Sequence, residues 1–172
     1  MRRPGRAWAA ALVAAVLLAP ACRAPSEEAR IRGLLEEAVS RASKRDPAGL
    51  TALCAPDYAD FEGRDAAGTR DLVAGFFDHY RGIVIHLLGV RVGEARADGL
   101  VPVECEVSLS HGAAEVLRRL IRYAGTFYRF RFELRREPRT GWRFVSAAWD
   151  EVGLTGLFPE SLDVLKELFP GS

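Results

Sequence analysis

Residues 125–136 read GTFYRFRFELRR. Tyr128, Phe130, Phe132 and Leu134 take alternate positions, and Arg129, Arg131 and Glu133 fill the gaps. Successive side chains of a strand point to opposite faces, so the stretch is a strand with one apolar and one charged face. Residues 101–110 (VPVECEVSLS) repeat the pattern, with Val101, Val103, Cys105, Val107 and Leu109 alternating with Pro102, Glu104, Glu106, Ser108 and Ser110. That alternation marks a half-buried strand of an antiparallel sheet. Before it, residues 83–96 predict a long strand with a bulge at Gly89, and Asp98-Gly99 is a strong hairpin turn signal. After it, residues 138–141 turn the chain into a last strand over 142–150. The expected buried sheet face is Tyr128, Phe130 and Phe132 with Trp142 and Phe144, which leaves Arg129 facing water.

Upstream of the strands the hydrophobic period is helical. Ile31, Leu34, Leu35, Ala38, Val39 and Ala42 share one helix face within residues 26–45, with Ser26 as cap and Glu27 and Glu28 in the first turn. Asp46-Pro47 restarts a short helix to about Cys54, and Ala55-Pro56 breaks it. Residues 57–63 (DYADFEG) read as a short extended stretch. A third helix runs from Gly68 or Thr69 to about Arg81 through Leu72, Val73, Phe76, Phe77 and Tyr80. Residues 112–123 and 160–169 read as further helices. Helices followed by an antiparallel sheet make an α+β pattern.

The chain of 172 residues, with 49% hydrophobic and 27% charged side chains, is long enough for one domain and has ordinary globular composition. Its first 22 residues, MRRPGRAWAAALVAAVLLAPAC, read as a targeting leader. Arg2, Arg3 and Arg6 precede an apolar run from Ala7 to Ala19, shorter than the roughly 20 residues that a membrane span needs. Ala19-Pro20-Ala21 then stands before Cys22, and this resembles the lipobox of bacterial lipoproteins, in which the cysteine is lipidated. A plain signal-peptidase site at the same bond and an uncleaved anchor are the other readings. The expected organisation is a signal peptide over 1–21, a tether over 22–26 and one domain over 27–172. Without the leader, 21 basic side chains face 23 acidic ones, which gives no reason to expect nucleic acid as a partner. Export also brings Cys54 and Cys105 into an oxidising compartment, where they either pair or stay as buried thiols.

Leu53–Tyr58 (LCAPDY), Gly63, Gly68–Phe77 (GTRDLVAGFF) and Gly141–Trp149 (GWRFVSAAW) occur in the order helix, short strand, helix, long strands. That order resembles the nuclear-transport-factor-2-like superfamily over residues 27–150. The resemblance implies a cone, in which helices close over a curved antiparallel sheet around a central pocket. It also implies that Tyr58, Phe76, Tyr80, Tyr128, Phe130 and Trp142 line a ligand site. The superfamily includes ketosteroid isomerases, whose general base aligns near Glu62. Their two oxyanion donors, a tyrosine and a protonated aspartate, fall at Ala38 and near Thr126, where this chain has neither a tyrosine nor a carboxyl.

Tyr58, Asp60 and Glu62 alternate with Ala59 and Phe61, so the catalytic candidates are Asp60 and Glu62 with Tyr58 or His79 as second group. A carboxyl buried in such a pocket has a raised pKa and can move a proton. His86 shares a predicted strand face with Val84, Leu88 and Val90. His79, His86 and His111 lack metal-ligand spacing, and no phosphate or dinucleotide loop is present, so no metal or cofactor is expected. Glu104 and Glu106 against Arg129 and Arg131 read as cross-strand pairs or as a charged face for a homodimer. Arg118, Arg119 and Arg122 make a basic helix edge. The leading expectation is an exported, lipid-anchored protein of the cell envelope, held to the membrane at Cys22, whose cone binds a small apolar ligand or a protein. A small lyase or isomerase, and a structural dimerisation module, are the alternatives.

Overall fold

The computed structural model describes residues 25–80, 82–110 and 126–168. The leader, Cys22, the helix expected over 112–123 with its arginines, and His111 lie outside the described residues.

Helix α1 spans Glu27–Ser43, with the Ser26 hydroxyl accepting the Ala29 N–H at 3.1 Å. Helix α2, Pro47–Thr51, is capped by Asp46 through the Gly49 N–H. Strand β1 follows at Cys54–Asp60, so Cys54 begins a strand where a helix end was expected. Pro56 is tolerated because β1 is an edge strand whose register with its neighbour slips between Cys54 and Ala59. Helix α3 is Ala66–His79, starting earlier than its apolar residues suggest because Asp65 caps the Gly68 N–H.

Strands β2 (Val84–Val92), β3 (Val101–Ser110), β4 (Thr126–Glu137) and β5 (Gly141–Val152) pair antiparallel in sequence. β1 joins β5 in parallel, so the curved sheet is mixed, ordered β1-β5-β4-β3-β2, and not purely antiparallel. The bulge expected at Gly89 is present. Leu87 pairs with Val107 but Val90 pairs with Cys105, which places one extra residue on β2. The bulge puts Val90 on the opposite sheet face from His86, whose partner is Ser108, so the shared face expected for them is corrected.

Register defines the two faces. Val103, Cys105, Phe130, Phe132, Ala147 and Trp149 pair across strands on the inner face, over which α1 packs. The main core there joins Ile31 and Leu35 of α1 to Tyr58, Val103, Leu134, Trp142 and Phe144. On the outer face lie Glu104, Glu106, Arg129, Arg131 and Asp150. A 3-10 turn (Leu154–Gly156) and helix α4 (Pro159–Leu168) follow β5, and α4 packs against the outer face of β2. Among the described residues no helix is long and apolar enough to cross a membrane.

Candidate functional site

The inner face carries a run of rings. Phe130 and Phe132 stand two apart on β4 and stack at 5.6 Å and 12°. Phe130 also meets Trp149 of β5 at 6.1 Å and Tyr128 at 6.4 Å. At the end of α3, Tyr80 packs on Phe76 at 4.6 Å and edge-on to His79 at 4.7 Å. Tyr128 pairs across the ladder with Glu151. Burial first, then the nearby Glu151 and Tyr80, pushes the Tyr128 phenol up from its ordinary pKa. At the other end Phe61 lies edge-on to Trp149 at 4.7 Å.

Phe76, Tyr80, Tyr128, Phe130, Phe132 and Trp149 are all only half-buried and Phe61 is exposed. The two remaining ring candidates, Tyr58 and Trp142, sit inside the main core. Burial pushes the Tyr58 phenol up to about 12. The Thr69 hydroxyl beside it lowers that value, but stands outside the geometry of a full hydrogen bond. Phe132 was expected on this face but not in the ligand site, and Trp149 and Phe61 were expected in neither. Register was the missing signal, because Trp149 comes beside Phe130 only once β4 and β5 are paired.

The carboxylate candidates serve another purpose. The Asp60 side chain is fully buried where β1 ends. Its Oδ1 accepts the backbone N–H of Glu62 at 3.0 Å and of Arg64 at 2.9 Å, and its Oδ2 accepts Arg64 Nε at 2.7 Å. The turn these bonds close passes through Gly63 at φ 78°, a left-handed conformation that glycine adopts without strain. Burial alone would raise the Asp60 pKa. The Arg64 backbone and side chain and the Glu62 N–H outweigh it and hold the carboxyl below its ordinary value. This overturns the expectation of a raised pKa. The same turn ends the alternation of β1, so Glu62 is exposed and pairs with Arg64. Among the described residues no hydrogen bond or ion pair joins His79, which is exposed, to either carboxylate.

At the positions aligned with oxyanion donors, Ala38 packs against the main core and Thr126 opens β4 opposite Leu109. Cys54 and Cys105 are free thiols, and burial pushes them up to about 11 and about 12. No three His, Cys, Asp or Glu among the described residues come together to hold a metal. A depression of about 220 Å³ lined by Arg45, Pro47, Ala74, Phe77 and Asp78 lies between α2 and α3, and its Phe77 ring is edge-on to Phe76 at 6.3 Å.

No protein-family model matches the chain, and no curated protein sequence matches it. Solved structures match its fold. A candidate scytalone dehydratase from Novosphingobium aromaticivorans is 13% identical over 74% of this chain and 85% of its own, with a TM-score of 0.60. A nuclear-transport-factor-2-like protein of unknown function from Pseudomonas putida is 19% identical over 75% and 94%, with a TM-score of 0.57. A type 2 hexachlorocyclohexane dehydrochlorinase is 15% identical over 77% and 93%, with a TM-score of 0.54. The chain therefore has the nuclear-transport-factor-2-like fold, a fold carried both by enzymes and by proteins of unknown function.

Proposed function

We propose that this chain is a non-catalytic binding module that holds a small, apolar, ring-bearing molecule against the inner sheet face. The observation that carries the reading is the half-buried run Tyr128, Phe130, Trp149, with Tyr80 near its Tyr128 end. Aromatic side chains bury large areas and interact with other rings in offset or edge-on geometry, which suits a flat hydrocarbon ligand. The tyrosine hydroxyls and Glu151 at one end supply the few polar groups that orient such a ligand.

Elimination chemistry of the kind named for two structural neighbours needs a base that can take up a proton. Asp60 is held as a carboxylate by hydrogen bonds and Arg64, and Glu62 is solvated, so neither candidate fits that role. The leader and Cys22 further support an exported protein anchored to the envelope by lipid.

Native mass spectrometry of the protein drawn from its own envelope tests the binding reading. A co-purified apolar compound of stoichiometry one per chain supports it. Turnover of a 3-oxo-Δ5-steroid that disappears in Glu62→Gln would replace it with the enzyme reading. Cys22→Ser should move the protein from membranes to the soluble fraction, and a variant that stays membrane-bound and uncleaved would contradict the anchor.

A further inference from the structure

Strands β2 to β5 pair side by side, so the side chains of the inner face stand in rungs across the sheet. Phe130 shares a rung with Val90, Cys105 and Trp149. Tyr128, two residues back on β4, shares the next rung with Leu87, Val107 and Glu151. Glu151 is the one charged side chain in these two rungs. Its neighbour Asp150, on the outer face, pairs with Arg131. Glu151 has no ion pair among the described residues. It is exposed at the Tyr128 end of the ring run, close enough to the phenol to act on it, as Tyr80 also is. Tyr80 comes from the end of α3, where it packs on Phe76 at 4.6 Å. The other end of the run is different. There Arg64 lies 5.9 Å from the centre of Trp149, and it is already held by Asp60 and Glu62.

This asymmetry bears on what can lie on the rings. The Phe130 and Tyr128 centres are 6.4 Å apart, within the span of one fused-ring molecule, so a ligand on Phe130 and Trp149 also reaches the Tyr128 rung. It then takes water from Glu151. Stripping water from a carboxylate that gains no partner is costly, and a hydrocarbon returns nothing for it. An ammonium returns an ion pair. It also gains from the ring faces of Tyr128 and Tyr80, because the face of an aromatic ring carries negative charge and attracts a cation. An anionic ligand meets repulsion from both.

We infer that, given a ligand on the ring face as proposed above, the ligand is an organic cation: its fused rings lie on Phe130 and Trp149, and its ammonium sits between Tyr128, Tyr80 and Glu151. Two isosteres test this by displacing the neutral fluorophore N-phenyl-naphthylamine from the full chain. One is naphthylmethyl-trimethylammonium. The other is neopentylnaphthalene, which has carbon in place of the charged nitrogen. The cation should bind the wild type at least about tenfold more tightly than the hydrocarbon. Glu151→Gln, at an exposed position, should remove that advantage by weakening the cation, and should leave the hydrocarbon bound at least as tightly as before. Equal or reversed affinities in the wild type, or an advantage that survives Glu151→Gln, would overturn the cation and leave the ring-face reading standing. Displacement by neither compound would overturn both.

Discussion

Glu106 on the charged face of the sheet is completely buried, while Phe130 on the apolar face, paired with residues on both sides, is only half covered. The polarity of a strand face thus does not decide how much water it sees. What lies on top of it does. The outer face is closed by a segment some fifty residues away in sequence, whose Phe158 N–H joins the Arg129 guanidinium of β4 in satisfying Glu106. The inner face keeps a run of rings that nothing among the described residues fully covers. The outer face buries a charge against the chain's own groups, whereas the inner face leaves its large rings half-open.

The strongest test of this contrast is in the packed part of the inner face. Phe144→Ala should cost about 3–5 kcal/mol, because the ring is buried in the main core, and thermal or urea unfolding measures it. A cost below about 1 kcal/mol would show that the main core is assigned wrongly.

Next is the buried ion pair. Arg129→Ala leaves Glu106 without its charge partner and should cost about 3 kcal/mol, whereas Arg131→Ala, whose pair with Asp150 is exposed, should cost under about 1 kcal/mol. Equal denaturation midpoints for the two would return Arg129 to the solvated role that alternation alone gives it.

A smaller effect, about 1–3 kcal/mol at neutral pH, is expected for Asp60→Asn, which loses the charge-assisted bonds of the turn. Its pH dependence has a definite sign. The folded Asp60 pKa lies below the ordinary 3.8, so its stabilisation is fully present above that value and is lost as pH falls through the lower, folded one. The wild type should therefore lose stability more steeply than Asp60→Asn below about pH 4 in melts across an acid series. Parallel acid limbs would show that Asp60 titrates normally. Glu62→Gln, at an exposed position, should change stability by less than about 0.5 kcal/mol.

The strands, their turns, the bulge at Gly89 and the caps at Ser26 and Asp46 were legible because each depends on neighbours in sequence. Asp65 was passed over as a cap because the apolar residues of α3 begin later than the helix does. The parallel pairing of β1, the closure over Glu106 and the lowered pKa of Asp60 were not legible. Each depends on groups brought together by the fold: β5 beside β1, Phe158 over β3, and Arg64 turned back onto Asp60. In the candidate site, Phe76, Tyr80, Tyr128 and Phe130 stood out as rings on two predicted elements. Phe132 shared their face by alternation, Trp149 joined them only through register, and Tyr58 and Trp142 left them for the core.

The most direct test of a ring-lined ligand face is a fluorescence titration with the neutral probe N-phenyl-naphthylamine on the wild type, Trp149→Leu and Arg131→Ala. Saturable binding of one probe per chain is predicted, weakened at least about tenfold by Trp149→Leu and unchanged by Arg131→Ala on the outer face. Equal binding by Trp149→Leu and the wild type, or a matching loss in Arg131→Ala, would contradict the placement of the ligand on the inner face.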